Sequence, residues 1–335
     1  MVPRGPIFIG GPDRCGKTLL AAILGSHSRI AIPIVGSNLW TFFYEQYGDL
    51  ADDRNLERCL AAMMSYKHAR FLQPDFTRLR GEMGSGERSY ERLFALIHEQ
   101  FAERAGKPRW GDQTGLIERY ADEVLAAYPG AVMIHMIRDP RDRYEASMRL
   151  WPNGRARAGG AAARWGYSVR LAERNLRCHP GRYRVVRYED LVQRTEEVVR
   201  GITTFIEEGY EPEMLAMGDA PTYRRKLAGG ADPPPGAVLI SAEHVGDYRG
   251  VVSDGELAFL QRVLAGPMRR LGYEAEAIRM SVGARIRYAG WTLPSNGLRL
   301  MAWSGLEAIQ HRFPRVIGRA PVRAKIVRSS GAGGG

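Results

Sequence analysis

Apolar residues fall in short runs of strand length, each followed by a stretch with helical spacing. Pro6-Ile7-Phe8-Ile9 is a buried-strand candidate. It runs into a glycine-rich loop, Gly10 to Gly16, and then into Lys17 to Gly25, where Leu19, Leu20, Ile23 and Leu24 face inward on a helix. The region 36–110 is helical in places, broken by Pro74, Gly81, Gly84 and Gly86, with its clearest helical pattern from Tyr90 to Phe101. Ile117, Tyr120, Ala121, Val124, Leu125 and Tyr128 recur at helical spacing until Pro129-Gly130 stops them, and Ala131 to Ile137 follows as an apolar strand. Asp142 to Leu150 returns to helix. A further helix over roughly 161–177 leads to a strand from Tyr183 to Tyr188, and another helix starts near Glu196. Residues 228–238, with Pro233-Pro234-Pro235, read as loop, and 254–273 as a last helix ending at Gly272. Strands alternating with helices predict βαβ units, and so a three-layer α/β/α domain around a central parallel sheet.

The chain has 335 residues, 44% hydrophobic and 25% charged, the make-up of a globular protein with a sizeable core. That excludes collagen, coiled coil and wholesale disorder. No apolar run approaches the length of a membrane span, and no secretion signal is read at Met1 to Pro6, so a cytoplasmic protein is expected. Cys15, Cys59 and Cys178 are too scattered for a disulfide framework or a zinc site. The net charge of +11 invites a nucleic-acid partner, but its distribution argues against one. From Ser281 onward nine Arg or Lys meet one acid, Glu307, so that stretch carries +8 and residues 1–280 only +3.

Gly11-Pro12-Asp13-Arg14-Cys15-Gly16-Lys17-Thr18 fits G-x-x-x-x-G-K-[ST] between a strand and a helix. Glycines let backbone N–H groups approach phosphate oxygens, the helix N-terminus adds positive dipole, and Lys17 adds a point charge. The site therefore predicts a phosphorylated ligand. An ATP or GTP enzyme needs an acid at the end of a neighbouring strand to hold Mg²⁺. The neighbouring strand ends instead in Arg138, followed by Asp139, which suits a second phosphate better than a cation.

These stretches together resemble the sulfotransferases that use 3′-phosphoadenosine-5′-phosphosulfate (PAPS). The family loop P-R-S-G-T-T-L-L, which grips the 5′-phosphosulfate, matches Pro12 to Leu20. Its 3′-phosphate motif, R-[DN]-P-x-[DE] with a Ser on the next helix, matches Arg138-Asp139-Pro140-Arg141-Asp142 with Ser147. Gly111-Asp112-Gln113-Thr114 is similar to G-[DE]-K-T-P, and Tyr188-Glu189-Asp190-Leu191 to Y-E-D-L. Val245 to Arg249, before the final helix and Leu271-Gly272-Tyr273, is similar to the family's closing segment. The matches run in family order from residue 6 to 273.

The resemblance implies sulfuryl transfer from PAPS to a hydroxyl or amine, with a P-loop-like fold, 3′,5′-adenosine bisphosphate as product and no metal. It implies that Asp13, Arg14, Cys15, Gly16, Lys17, Thr18 and Leu19 hold the 5′-phosphosulfate, with Arg14 and Lys17 acting on the departing oxygen. Arg138 and Ser147 would hold the 3′-phosphate, with Tyr188 and Arg249 also at the nucleotide. The bland alternative for Arg138 and Arg141 is a salt-bridge net with Asp139 and Asp142. Ser147 lies nine positions after Arg138 where the family has eight, which is Ala146, and one residue turns a helical side chain by about 100°. Gln113 replaces the family Lys. The segment after the first helix, Ile32 to Trp40, holds no acid or His, so Glu45 and Asp112 are the nearest candidates for a general base, with Glu45 preferred. Trp40, Phe42, Phe43, Tyr44 and Tyr47 read first as helix core and second as an acceptor-pocket wall.

The expected organisation is a sulfotransferase domain over 1–280, with much of the acceptor pocket in 21–110. A basic helical extension over 281–328 and a disordered tail over 329–335 follow. Leu298, Met301, Ala302, Gly305, Ile309 and Phe313 share one side of the extension's helix. That side is expected to pack on the body or on a second subunit, and the basic extension is otherwise a peripheral membrane contact. The acceptor is a small molecule, a carbohydrate or a lipid, and a homo-oligomer is open. The alternatives are an ATP/Mg²⁺-dependent kinase or nucleotide hydrolase, and a non-catalytic nucleotide-binding protein.

Overall fold

A computed structural model of the chain describes residues 4–150 and 157–312. Five parallel strands form one sheet in the order β2-β3-β1-β4-β5. These are β1 (Ile7–Gly10), β2 (Ile30–Ala31), β3 (Arg109–Gln113), β4 (Val132–Ile137) and β5 (Tyr183–Arg187). β1 and β4 are buried throughout, as continuous apolar strands in a sheet covered on both faces should be. Successive residues of β1 feed opposite layers. Phe8 enters an aromatic cluster with Trp40, Phe94, Trp110 and Tyr128, whereas Ile7 and Ile9 join Leu20, Ile23, Leu24 and Met136.

Two strands give little to read as strand, β2 because it is short and β3 because it is polar. β2 has two residues, and β3 reads Arg-Trp-Gly-Asp-Gln. Its polar groups enter the core because neighbours satisfy them. Arg109 donates to the Gly5 carbonyl at 2.7 Å, to the Ile206 carbonyl at 2.6 Å and to Glu208 at 3.2 Å. Asp112 accepts from Ser37 at 3.1 Å and from Thr114 at 2.6 Å.

The helices that position the site are α1 (Lys17–Gly25), α2 (Tyr90–Arg104), α3 (Pro140–Leu150), α4 (Ala158–Cys178) and α5 (Tyr188–Gln193). Ser89 caps α2 by accepting the Arg92 N–H at 3.1 Å. The stretch expected as one helix over 254–273 is two, Asp254–Val263 and Ala265–Arg270, and the second stops before Gly272, whose φ is +73°. Trp40 and Phe43 are buried, with Trp40 stacked on Tyr44 at 4.8 Å, so the aromatic stretch serves mainly as core.

The extension continues as Val282–Arg287, a π-helical turn over Tyr288–Thr292, and α6 (Leu293–Arg312), which lies along α4. The contact uses the small residues that begin α4. The Gly159 N–H donates to Asn296 Oδ1 at 3.0 Å, and the Arg164 guanidinium covers the Trp303 ring at 4.0 Å. Arg119 and the buried Glu307 form an ion pair. The side expected to pack inward therefore faces outward: Leu298 and Met301 are exposed, and a mixed side with Leu293, Asn296, Leu300, Trp303 and Glu307 meets the body. The reason is steric, since glycines let a backbone approach that a row of Leu and Met would hold off. Phe313 and the tail over 329–335 lie outside the described residues.

A Cβ on Gly159 would lie 2.1 Å from the Asn296 carbonyl oxygen, whereas one on Gly81 would meet nothing within 4 Å. Gly159→Ala should lower stability by about 1–3 kcal/mol. Gly81→Ala, mid-helix in Phe76–Ser85, should raise it by up to about 1 kcal/mol. Thermal unfolding of the two variants checks both signs.

Candidate phosphate and sulfuryl-transfer site

β1 is the central strand at which the sheet reverses direction of growth, with β3 on one side and β4 on the other, and the loop Gly11 to Gly16 leaves its C-terminal end there. The loop's shape demands glycine twice. Gly11 has φ +116° and Gly16 φ +92°; a Cβ would sit 2.2 Å from the Met136 carbonyl oxygen in the first case and 2.6 Å from the Tyr188 ring in the second. Arg14 also adopts positive φ, at 66°. Arg143 ties down the loop's outer edge, donating to the Asp13 carbonyl and to its carboxylate, each at 3.0 Å.

Beneath the loop lies a polar chain that sequence reasoning missed. Glu118, fully buried, accepts the Gly11 N–H at 3.0 Å and the Ser168 hydroxyl at 3.0 Å. Ser168 meets His135 Nε2 at 2.9 Å, and His135 Nδ1 meets the Tyr183 hydroxyl at 2.5 Å. Burial opposes the charge on Glu118, but His135, the Gly11 N–H and Lys17 outweigh it and hold its carboxyl below the ordinary value. Burial lowers the His135 pKa against the pull of Glu118. Glu118 sits among apolar residues at helical spacing, where an acid looks like any solvent-facing position.

Above the loop opens a cleft of about 370 Å³. Arg14, Gly16, Lys17, Thr18 and Leu19 line one side, Arg138 and Tyr188 another. Tyr223, Lys226, Ser241 and His244 close it from the segment after residue 220. Arg138 lies flat over the Tyr188 ring at 4.6 Å and donates to the His244 carbonyl at 2.6 Å. Its Nε is buried without a partner among the described residues. Lys17 Nζ is turned back onto the Gly11 and Pro12 carbonyls at 2.8 and 2.6 Å. Residues 6–212 match the sulfotransferase family.

The chain belongs to the sulfotransferase family. Two solved structures share its fold. The sulfotransferase domain from the curacin biosynthetic pathway is 20% identical, with a TM-score of 0.53 over 82% of this chain and 100% of that one. The sulfotransferase domain from the Synechococcus PCC 7002 olefin synthase is 18% identical, with a TM-score of 0.53 over 82% and 99%. No curated protein matches the sequence.

Within this sulfotransferase fold, the two strand-end arginines part company. Arg141 is held by Asp139 through both carboxylate oxygens, at 3.0 and 2.7 Å, and lies over Tyr248, so the salt-bridge reading describes it well. Arg138 joins no such net and faces the cleft. Asp142 accepts the Gly246 and Tyr248 N–H groups at 2.8 and 3.1 Å, docking the closing segment. Glu189 accepts the Asp139 N–H at 2.8 Å and the Tyr273 hydroxyl at 2.9 Å, and α5 starts at Tyr188, ahead of Asp190.

Other expected site residues stand apart from the cleft lining. Cys15 is buried, its thiol donating to the Pro12 carbonyl at 2.7 Å, and burial pushes its pKa up. The Asp13 carboxylate faces Arg143; burial works against its charge, yet Arg143, Lys17 and Arg164 together hold it well below the usual range. Ser147 donates back to the Arg143 carbonyl at 2.8 Å, and Gln113 to the Ile34 carbonyl at 2.5 Å. Arg249 pairs with Glu276 in a separate cavity of about 360 Å³. Glu45 lines another, of about 220 Å³, with Tyr47, Arg88 and Tyr90. Lys226 and His244 belong to none of the motifs read in the sequence and flank the 228–238 loop on either side.

Because His135 resists protonation in the folded chain, the unfolded chain binds the extra proton as pH falls below the ordinary value of 6.5, and stability declines there. Glu118, depressed below its ordinary 4.5, adds a second loss at lower pH still. The unfolding temperature should thus fall between about pH 7 and about pH 5, and His135→Gln should flatten that part of the profile. Parallel profiles for the two proteins would assign the decline to other groups.

Proposed function

We propose that the chain moves a sulfuryl group from PAPS to a hydroxyl or amine of a small-molecule acceptor, carbohydrate or lipid included. Arg138 carries this reading: a strand-end guanidinium stacked on Tyr188 beside the phosphate loop, with a buried N–H left to give. ATP has no 3′-phosphate to meet it. The kinase reading needs an acid for Mg²⁺, and the acid beside Arg138, Asp139, has both oxygens taken by Arg141.

Bound PAPS would supply the sulfuryl group, whose sulfur–oxygen bond to the 5′-phosphate breaks as the bond to the acceptor forms and the acceptor's proton passes to solvent water. The chain's own groups neutralise the charge that grows on the departing phosphate oxygen. Gly16 and Thr18 stand at the positive end of α1, and Arg14 and Lys17 bring cations to the same side of the cleft. Lys17 reaches a ligand oxygen by leaving the Gly11 and Pro12 carbonyls. Glu45 shares no lining residue with the cleft, so we give it no part in the transfer.

Calorimetric titration of the protein, without metal, with 3′,5′-adenosine bisphosphate tests the reading, with ADP and Mg²⁺ as comparison. The bisphosphate should bind, and Arg138→Ala should weaken it by roughly 10- to 100-fold, the worth of one charge-assisted contact. Tight Mg²⁺-dependent ADP binding with no response to the bisphosphate would overturn it. In turnover assays Glu45→Gln should keep kcat within about threefold, where loss of a true general base takes about a hundredfold or more.

A further inference from the structure

The extension packs Tyr288, Leu293 and Leu300 against the body but turns other large apolar side chains to solvent. Val282 is 73% exposed, Trp291 69%, Leu298 65% and Met301 64%, and Ile286 and Ile309 follow the same pattern. On α6, Leu298, Met301, Ala302, Gly305 and Ile309 recur at intervals of one, three and four, which makes one continuous stripe. The opposite side holds Leu293, Asn296, Leu300, Trp303 and Glu307 against the body, so α6 has apolar groups on both sides. A surface helix of a globular domain normally leaves its outer side polar. Covering Asn296 and Glu307 while exposing Leu298 and Met301 is unfavourable in water unless another surface takes the stripe.

Charge identifies that surface. Between residues 281 and 310 the charged side chains are Arg285, Arg287, Arg299 and Glu307. The one acid is buried in its pair with Arg119, whereas Arg285 and Arg287 are exposed, as is Arg279 just before them. The sequence then adds six more cations, from Arg312 to Arg328, and no acid. A second copy of the chain laid on this face about a two-fold axis would set cations against cations. An anionic bilayer suits both features, since apolar side chains and a Trp settle at the headgroup boundary while Arg meets phosphate. Crossing the membrane is not required: among the described residues no helix is long and apolar enough to do so.

We propose that residues 282–309 form a docking surface that rests on anionic phospholipid, with the stripe from Leu298 to Ile309 entering the headgroup layer and Arg285 and Arg287 contacting lipid phosphates. This surface is independent of the transfer chemistry and stands or falls without it.

Flotation of the full chain with vesicles of phosphatidylcholine alone, or of phosphatidylcholine mixed with phosphatidylglycerol, tests the proposal. The protein should float with the anionic vesicles, bind neutral ones roughly tenfold less, and be released by raised salt. Leu298→Glu with Met301→Glu should weaken binding at least roughly tenfold. Arg285→Glu with Arg287→Glu should do so too, chiefly at low salt. Thermal unfolding of each variant, unchanged because the side chains are exposed, identifies a lipid effect. Failure of the wild-type chain to bind anionic vesicles, or equal binding by the glutamate variants, would overturn the proposal. So would sedimentation showing a dimer that Leu298→Glu with Met301→Glu dissociates, which would give the face to a second copy.

Discussion

The hydrogen bond from the Gly11 N–H to the buried Glu118 carboxylate holds the phosphate loop in register with everything beneath it. An ion without solvent is tolerable only when its partners are fixed, and here they come from separate parts of the chain. Ser168 belongs to α4, His135 to β4 and Tyr183 to β5, while the Asn175 amide donates to the Glu118 carbonyl at 2.8 Å. Because the Met136 carbonyl leaves no room for a side chain at Gly11, and Glu118 fixes the same residue from below, the loop is constrained from both sides. The cleft's cations are presented on that foundation.

Much of this was legible in the sequence where a single physical rule governs the residue. β1 and β4 are apolar because they lie inside the sheet, and α1 follows the glycine loop because a strand there must turn. Arg14, Gly16, Lys17, Thr18, Leu19, Arg138 and Tyr188, from motifs far apart along the chain, line one cleft. Where two rules compete, the sequence is silent. β3 keeps Arg109 and Asp112 in the core because Glu208 and Ser37, both distant along the chain, satisfy them together with the nearby Thr114. Arg138 and Arg141 look alike on paper. One lies on the strand tip above Tyr188, the other a turn further on, where Asp139 can grip it with both oxygens.

The extension teaches a related lesson. Helical periodicity identifies two sides but not which one meets the body. The surface of α4 decides that, and its opening Ala158-Gly159-Gly160 accepts a close backbone and the Asn296 amide rather than a ridge of large apolar groups. Packing by backbone proximity and packing by apolar burial leave the same sequence pattern on the incoming helix, with opposite orientations.

Lys17 gives the loop a counterweight of its own. With its ammonium on two main-chain oxygens, the loop satisfies this cation internally. Any anion that takes Lys17 as a contact must compete with carbonyls already aligned to receive it. A multiply charged oxygen group is better placed to win that competition than a neutral one, so the contact sets a threshold of charge.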